Sequence, residues 1–149
     1  MATIISQVKK EDLEGMANVL WEMSNLKNRT RIAGLSHVGN LERYHEKRSM
    51  FVIGIRDEVL GYIEIEKQIT KEGNLEIKRI YVEPRARGNH LGSLLVSHVE
   101  TIAKEMGATA AVYRCHNSNK RALNFFARLG YETESKIFGY HALQKQVRI

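Results

Sequence analysis

The chain predicts a mixed α/β fold, a central sheet of about seven strands with helices on both faces. Three observations carry that expectation. Segments of alternating apolar residues are interleaved with segments of helical spacing, in the order β-α-α-β-β-β-α-β-α-β-β. A run of antiparallel strands gives way, through one long helix, to a parallel crossover. The composition, 149 residues with 43% hydrophobic and 27% charged, suits a single globular domain over residues 1–149 with a substantial core.

Thr3–Val8 alternates as a first strand. Glu11–Lys27 is a helix, with Leu13, Met16, Ala17, Leu20, Met23 and Leu26 at helical spacing and Asp12 as its cap. Leu35–Arg48 is a second, shorter helical region with Leu41 and Tyr44 inward. Met50–Ile55 and Val59–Ile65 form a hairpin around Arg56, Asp57 and Glu58. A turn at Lys71–Asn74 leads into the strand Leu75–Val82. Leu91–Met106 is the clearest helix, with Leu91, Leu94, Leu95, Val99, Ile102 and Met106 on one face and Gly107 ending it. Thr109–Cys115 is a strand, and Lys120–Leu129 is a helix ended by Gly130. Tyr131–Ile137 and Tyr140–Val147 close the chain as a hairpin around Phe138 and Gly139.

No apolar run approaches the about 20 residues that a membrane-spanning helix needs. The first residues lack the pattern of a signal peptide. The one cysteine, Cys115, has no internal disulfide partner. These features predict a cytoplasmic protein without membrane association. The net charge of +6 permits nucleic-acid binding. With no arginine-rich or aromatic-interleaved basic block, the charge reads instead as a solvated surface plus cations for an anionic ligand. Nucleic acid is not an expected partner. A homodimer through the terminal strands is left open.

The most informative stretch runs from Ile80 to Leu95. A strand, a basic loop containing glycine and the first turns of a helix follow one another, which makes an anion site. Arg85 and Arg87 add positive charge there. A lone loop of this kind is weak evidence, but a second motif follows from Asn119 to Tyr131.

Together the two motifs resemble the GNAT superfamily of N-acetyltransferases. Val82-Glu83-Pro84 precedes Arg87-Gly88-Asn89-His90-Leu91-Gly92, in which Arg87 and Gly92 match the family's phosphate loop and His90 stands where glycine is usual. In the second motif Asn119, Ala122, Gly130 and Tyr131 match, and Phe126 replaces the usual tyrosine. The resemblance implies a GNAT-like sheet and acetyl-CoA as donor. It implies that Arg87, Gly88, Asn89, His90, Leu91, Gly92 and Ser93 hold the diphosphate. It also implies that Ile80, Tyr81 and Val82 hold the pantetheine arm, and that Asn119 and Phe126 lie beside the cofactor. His90 is read as a surface position whose backbone does not need glycine, in preference to a catalytic role.

Amine attack on a thioester needs a free amine, a polarised carbonyl and a proton for the leaving thiolate. Glu76 lies where many family members carry a base, and reads equally well as a strand glutamate paired with Lys78 or another cation. An amide near Val82 would polarise the carbonyl. Phe126 cannot protonate a thiolate. Solvent, Tyr140 or His116 would then do so, or catalysis is lost. Cys115 and His116 point to opposite faces of a strand, which argues against a nucleophilic pair. No metal-ligand spacing is present, and no metal is expected. The sequence thus predicts an acetyl-CoA-dependent N-acetyltransferase acting on an unidentified amine: a small molecule, a peptide N-terminus or a protein amine. A catalytically silent acyl-CoA-binding module is the alternative.

Overall fold

A computed structural model describes residues 3–7, 48–55, 58–88 and 90–147. The two helical segments expected before residue 48 lie outside the described residues, as do Asn89 and the turn at residues 56–57. Seven strands form one sheet in the order β1-β2-β3-β4-β5-β7-β6. They are β1 (Thr3–Gln7), β2 (Arg48–Ile55), β3 (Glu58–Glu66), β4 (Asn74–Val82), β5 (Ala110–His116), β6 (Glu132–Ile137) and β7 (Tyr140–Gln146). Two helices are described, α1 (Leu91–Glu105) and α2 (Lys120–Arg128). The mixed α/β class and the strand count match the sequence-based expectation.

The described residues fall into two compact units. The first takes those of Met1–Lys67 and Arg79–Leu95. Here β1 pairs antiparallel with β2, and β2 with β3, with Ile55 opposite Glu58. Every residue from Leu60 to Ile65 is buried, so both faces of β3 are covered. This includes Glu64, whose alternating context gives no hint of burial. A Cβ on Gly61 would sit 2.7 Å from the Tyr81 carbonyl oxygen. Only glycine lets β3 approach the end of β4 this closely.

The second unit takes Gln68–Lys78 and Val96–Ile149. Asn74–Ile77 of β4 pair in parallel with Ala110–Tyr113 of β5, as the crossover predicts. β5 pairs antiparallel with β7, and β7 with the edge strand β6. Phe138 and Gly139 between them have φ of 51° and 78°, the positive pair that a type I′ hairpin turn requires. The buried face of α1 is narrower than expected. Leu91, Leu95, Val99 and Ala103, with Val96, are buried, while Leu94 and Met106 are 43% and 41% exposed. The stripe follows four-residue steps, and Leu94 lies one residue off it.

A polar cluster ties α1 to the C-terminal strands. The Tyr131 hydroxyl donates to Glu100 Oε2 (2.8 Å) and the Lys145 ammonium donates to Oε1 (3.2 Å). Burial first, then the Glu100 carboxylate, push the Tyr131 phenol well above its ordinary value near 10. Its contribution to stability is therefore complete below the unfolded-state value and is lost as pH rises beyond it, because only the unfolded phenol then releases its proton. Above about pH 10 the wild type should lose stability more steeply than Tyr131→Phe, by up to about 1.4 kcal/mol per pH unit. Parallel denaturation curves for the two proteins from pH 9 to pH 11 check this; equal slopes would contradict it.

Candidate acyl-transfer site

The loop after β4 is held by its own backbone, the Ala86 amide donating to the Glu83 carbonyl (2.9 Å) and the Arg87 amide to the Pro84 carbonyl (3.2 Å). The Glu83 amide donates to the Leu60 carbonyl (2.8 Å), which fixes the end of β4 against β3. Pro84–Ala86 make one 3-10 turn. The Arg87 Nε–H then reaches back to the Val82 carbonyl (2.9 Å), with its guanidinium 5.8 Å from the centre of the Tyr81 ring. Arg87 is thus a strut between the loop and the strand it leaves, as well as a charge. Gly88 follows with φ of 87°, and open space surrounds the position of its missing Cβ.

The first intrahelical bond of α1 runs from the Leu94 amide to the His90 carbonyl (3.0 Å). The amides of Leu91, Gly92 and Ser93 consequently have no acceptor within the helix. No acidic residue occupies the first turn. These features suit an anion with several acceptor oxygens, and a diphosphate fits that description.

His90 corrects the reading from sequence. Its φ is 63°, in the left-handed region, so the position does favour glycine. The residue is exposed, and its left-handed backbone costs more for histidine than it would for glycine. His90→Gly should stabilise the protein by up to about 1 kcal/mol, the relief of strain being partly offset by glycine's larger unfolded-state entropy. His90→Val should destabilise it. Thermal unfolding of the pair checks the sign, and a less stable glycine variant would contradict it.

In the second unit, the sheet register gathers the candidate catalytic side chains on one face. Glu76 is opposite Val112 on β5. Arg114 and His116 follow Val112 on the same face at two-residue steps, and Tyr140 is opposite His116. The contacts agree. Arg114 Nη1 donates to Glu76 Oε2, and Lys78 Nζ is 3.8 Å from the same oxygen. The His116 and Tyr140 rings meet edge to face, 5.0 Å between centres. Of the two readings of Glu76, the ion-paired one describes this conformation, with Arg114 joining Lys78. The Ser118 amide donates to His116 Nδ1 (3.1 Å), which places the proton of the neutral ring on Nε2. Reading the sequence missed Arg114 and Ser118; only the register reveals the first, and the tight turn after β5 the second.

Phe126 is placed differently from its expectation, and Asn119 and Cys115 have structural surroundings of their own. Phe126 is fully buried, stacked on Tyr113 at 4.5 Å and edge-on to Phe125 and Tyr131. It offers no surface to a ligand in this conformation, so the expected cofactor contact is corrected to a core role. Asn119 caps α2, its Oδ1 accepting from the Ala122 amide (3.2 Å). Cys115 is buried, and burial pushes its thiol up, away from the reactive thiolate.

Comparison with known proteins decides the family. The model of the acetyltransferase (GNAT) family matches residues 15–131. The chain belongs to the GNAT family. An uncharacterized N-acetyltransferase of Methanocaldococcus jannaschii is 26% identical over 106 residues, 68% of this chain and 47% of that protein. Thialysine N-epsilon-acetyltransferase of Bos taurus is 28% identical over 74 residues, 50% of this chain and 44% of that protein. The chain thus spans about half the length of the curated relatives it matches.

Solved structures extend the likeness of fold. PaiA N-acetyltransferase of Thermoplasma acidophilum, in complex with coenzyme A, superposes with a TM-score of 0.79 at 18% identity, covering 98% of this chain and 99% of that one. A putative GNAT acetyltransferase of Desulfovibrio desulfuricans gives 0.83 at 16% identity, with the same coverage. In this GNAT chain a histidine holds a left-handed backbone conformation at position 90.

Proposed function

We propose that this GNAT chain is an acetyl-CoA-dependent N-acetyltransferase that transfers the acetyl group directly to an amine. The observation that carries the proposal is the start of α1, where the amides of Leu91, Gly92 and Ser93, without acceptors in the helix, stand at its positive end beside the Arg87 side chain. Family membership and the coenzyme A complex of PaiA support the same donor.

Acetyl-CoA brings an activated acetyl group as a thioester. Arg87–Ser93 hold its diphosphate. The parallel ladder from β4 to β5 covers Asn74–Ile77, so Ile80–Val82 lie outside it. Their backbone is proposed to hold the pantetheine arm, with the Val82 amide polarising the thioester carbonyl. Asn119 contacts the cofactor through its amide nitrogen, its oxygen being held by Ala122. Glu76 takes a proton from the acceptor amine. Tyr140, half exposed on the same face, returns one to the thiolate in place of the tyrosine that Phe126 replaces.

A thiol-release assay against a mixed panel of amines, run beside calorimetry with acetyl-CoA, tests this. Amine-dependent release of free thiol is the expected result. Binding without release from any amine would favour the silent acyl-CoA-binding module instead.

A further inference from the structure

The charges around Glu76 bear on which amine is accepted, an inference that rests on the transferase reading above. Both cations, Arg114 and Lys78, engage Oε2 of Glu76. Among the described residues no hydrogen bond reaches Oε1. The Arg114 side chain is 59% exposed, and its remaining N–H donors make no hydrogen bond among those residues. The Glu76 carboxylate therefore meets its cations through one oxygen, and Arg114 presents further donors beside it.

A ligand matched to this cluster carries both signs. Its ammonium meets Oε1, and a carboxylate a few bonds away meets the planar donor edge of Arg114. A polyamine would instead bring a second cation against Arg114 and Lys78. We propose that the acceptor is an amine bearing a nearby carboxylate, as in a free amino acid, and that Arg114 selects it. In the transfer itself, the N–C bond forms as the C–S bond breaks. The bound ammonium first gives one proton to solvent; the second leaves the nitrogen for Glu76, and the thiolate takes one from Tyr140, which solvent then reprotonates. The acceptor carboxylate stays on Arg114 throughout, so Arg114 acts through binding and acceptor position.

The test compares lysine, lysine amide and 1,5-diaminopentane as acceptors with acetyl-CoA as donor, for wild type, Arg114→Gln and Arg114→Lys. Wild type should prefer lysine over its amide by about tenfold or more in kcat/KM. Arg114→Gln should bring that ratio near one, mainly through KM for lysine, with acetyl-CoA affinity unchanged. Arg114→Lys, which keeps the charge, should retain part of the preference and guards against a folding defect in the Gln variant. Equal or better use of the amide or the diamine by wild type would overturn the proposal while leaving the transferase reading intact. So would a preference that survives Arg114→Gln. Acetyl-CoA binding with no thiol release from any of the three acceptors, or from the mixed amine panel, would overturn both.

Discussion

Glu76→Gln is expected to lower kcat by about 10²- to 10³-fold, the usual loss when a general base is removed. Acetyl-CoA affinity should be unchanged, since Glu76 is proposed to meet the acceptor amine and not the donor. Glutamine keeps the shape and can still accept a hydrogen bond from Arg114, but it cannot take a proton from an amine. A purely structural Glu76 predicts something else. Loss of its charge beside Arg114 and Lys78 would then lower stability by a modest amount, because the pair is partly solvated, and leave kcat close to wild type. The two readings separate on the split between kcat and the melting temperature. Unchanged kcat with a lowered melting point would sink the assignment of Glu76 as base.

Phe126→Ala should cost about 3–5 kcal/mol of stability. The ring is fully buried, stacked on Tyr113 and edge-on to two further aromatic rings, so its removal leaves a cavity rather than a groove that solvent can fill. Phe126→Tyr is the more informative partner. Restoring the residue usual in the family should cost about 1–3 kcal/mol, because the added hydroxyl enters an aromatic cluster. It should not raise turnover. Denaturant unfolding of both variants, with thiol release measured on the Tyr variant, checks this. A stable Phe126→Tyr protein with increased turnover would show that position 126 reaches the thiolate after all.

Much of this was legible in the sequence for identifiable reasons. The strand–loop–helix from Ile80 to Leu95 combines a change of hydrophobic period with loop glycines, signals that are local in the sequence. The crossover helix announced parallel pairing of β4 and β5, and the structure has it. The positive φ of Gly107, Gly130 and Gly139 sits where helix ends and the final hairpin were expected.

What was not legible depends on tertiary placement. The left-handed backbone of His90 is hidden because the residue's identity argues against it. Arg114 becomes a partner of Glu76 only through the register of two strands 38 residues apart. Phe126 reads as a ligand contact by motif and as core by burial, and burial is decided by Tyr113 on a neighbouring strand. Glu64 looks like an outward residue of an alternating strand, whereas both faces of β3 are covered.

The central claim is that the loop from Arg87 to Ser93 holds the diphosphate of acetyl-CoA. Calorimetric titration with acetyl-CoA and, separately, with S-acetylpantetheine tests it most directly, since the second ligand keeps the thioester and arm but lacks the diphosphate and nucleotide. The account predicts binding of acetyl-CoA and at least about 100-fold weaker binding of the truncated thioester. No binding of acetyl-CoA, or equal affinity for the two, would contradict it.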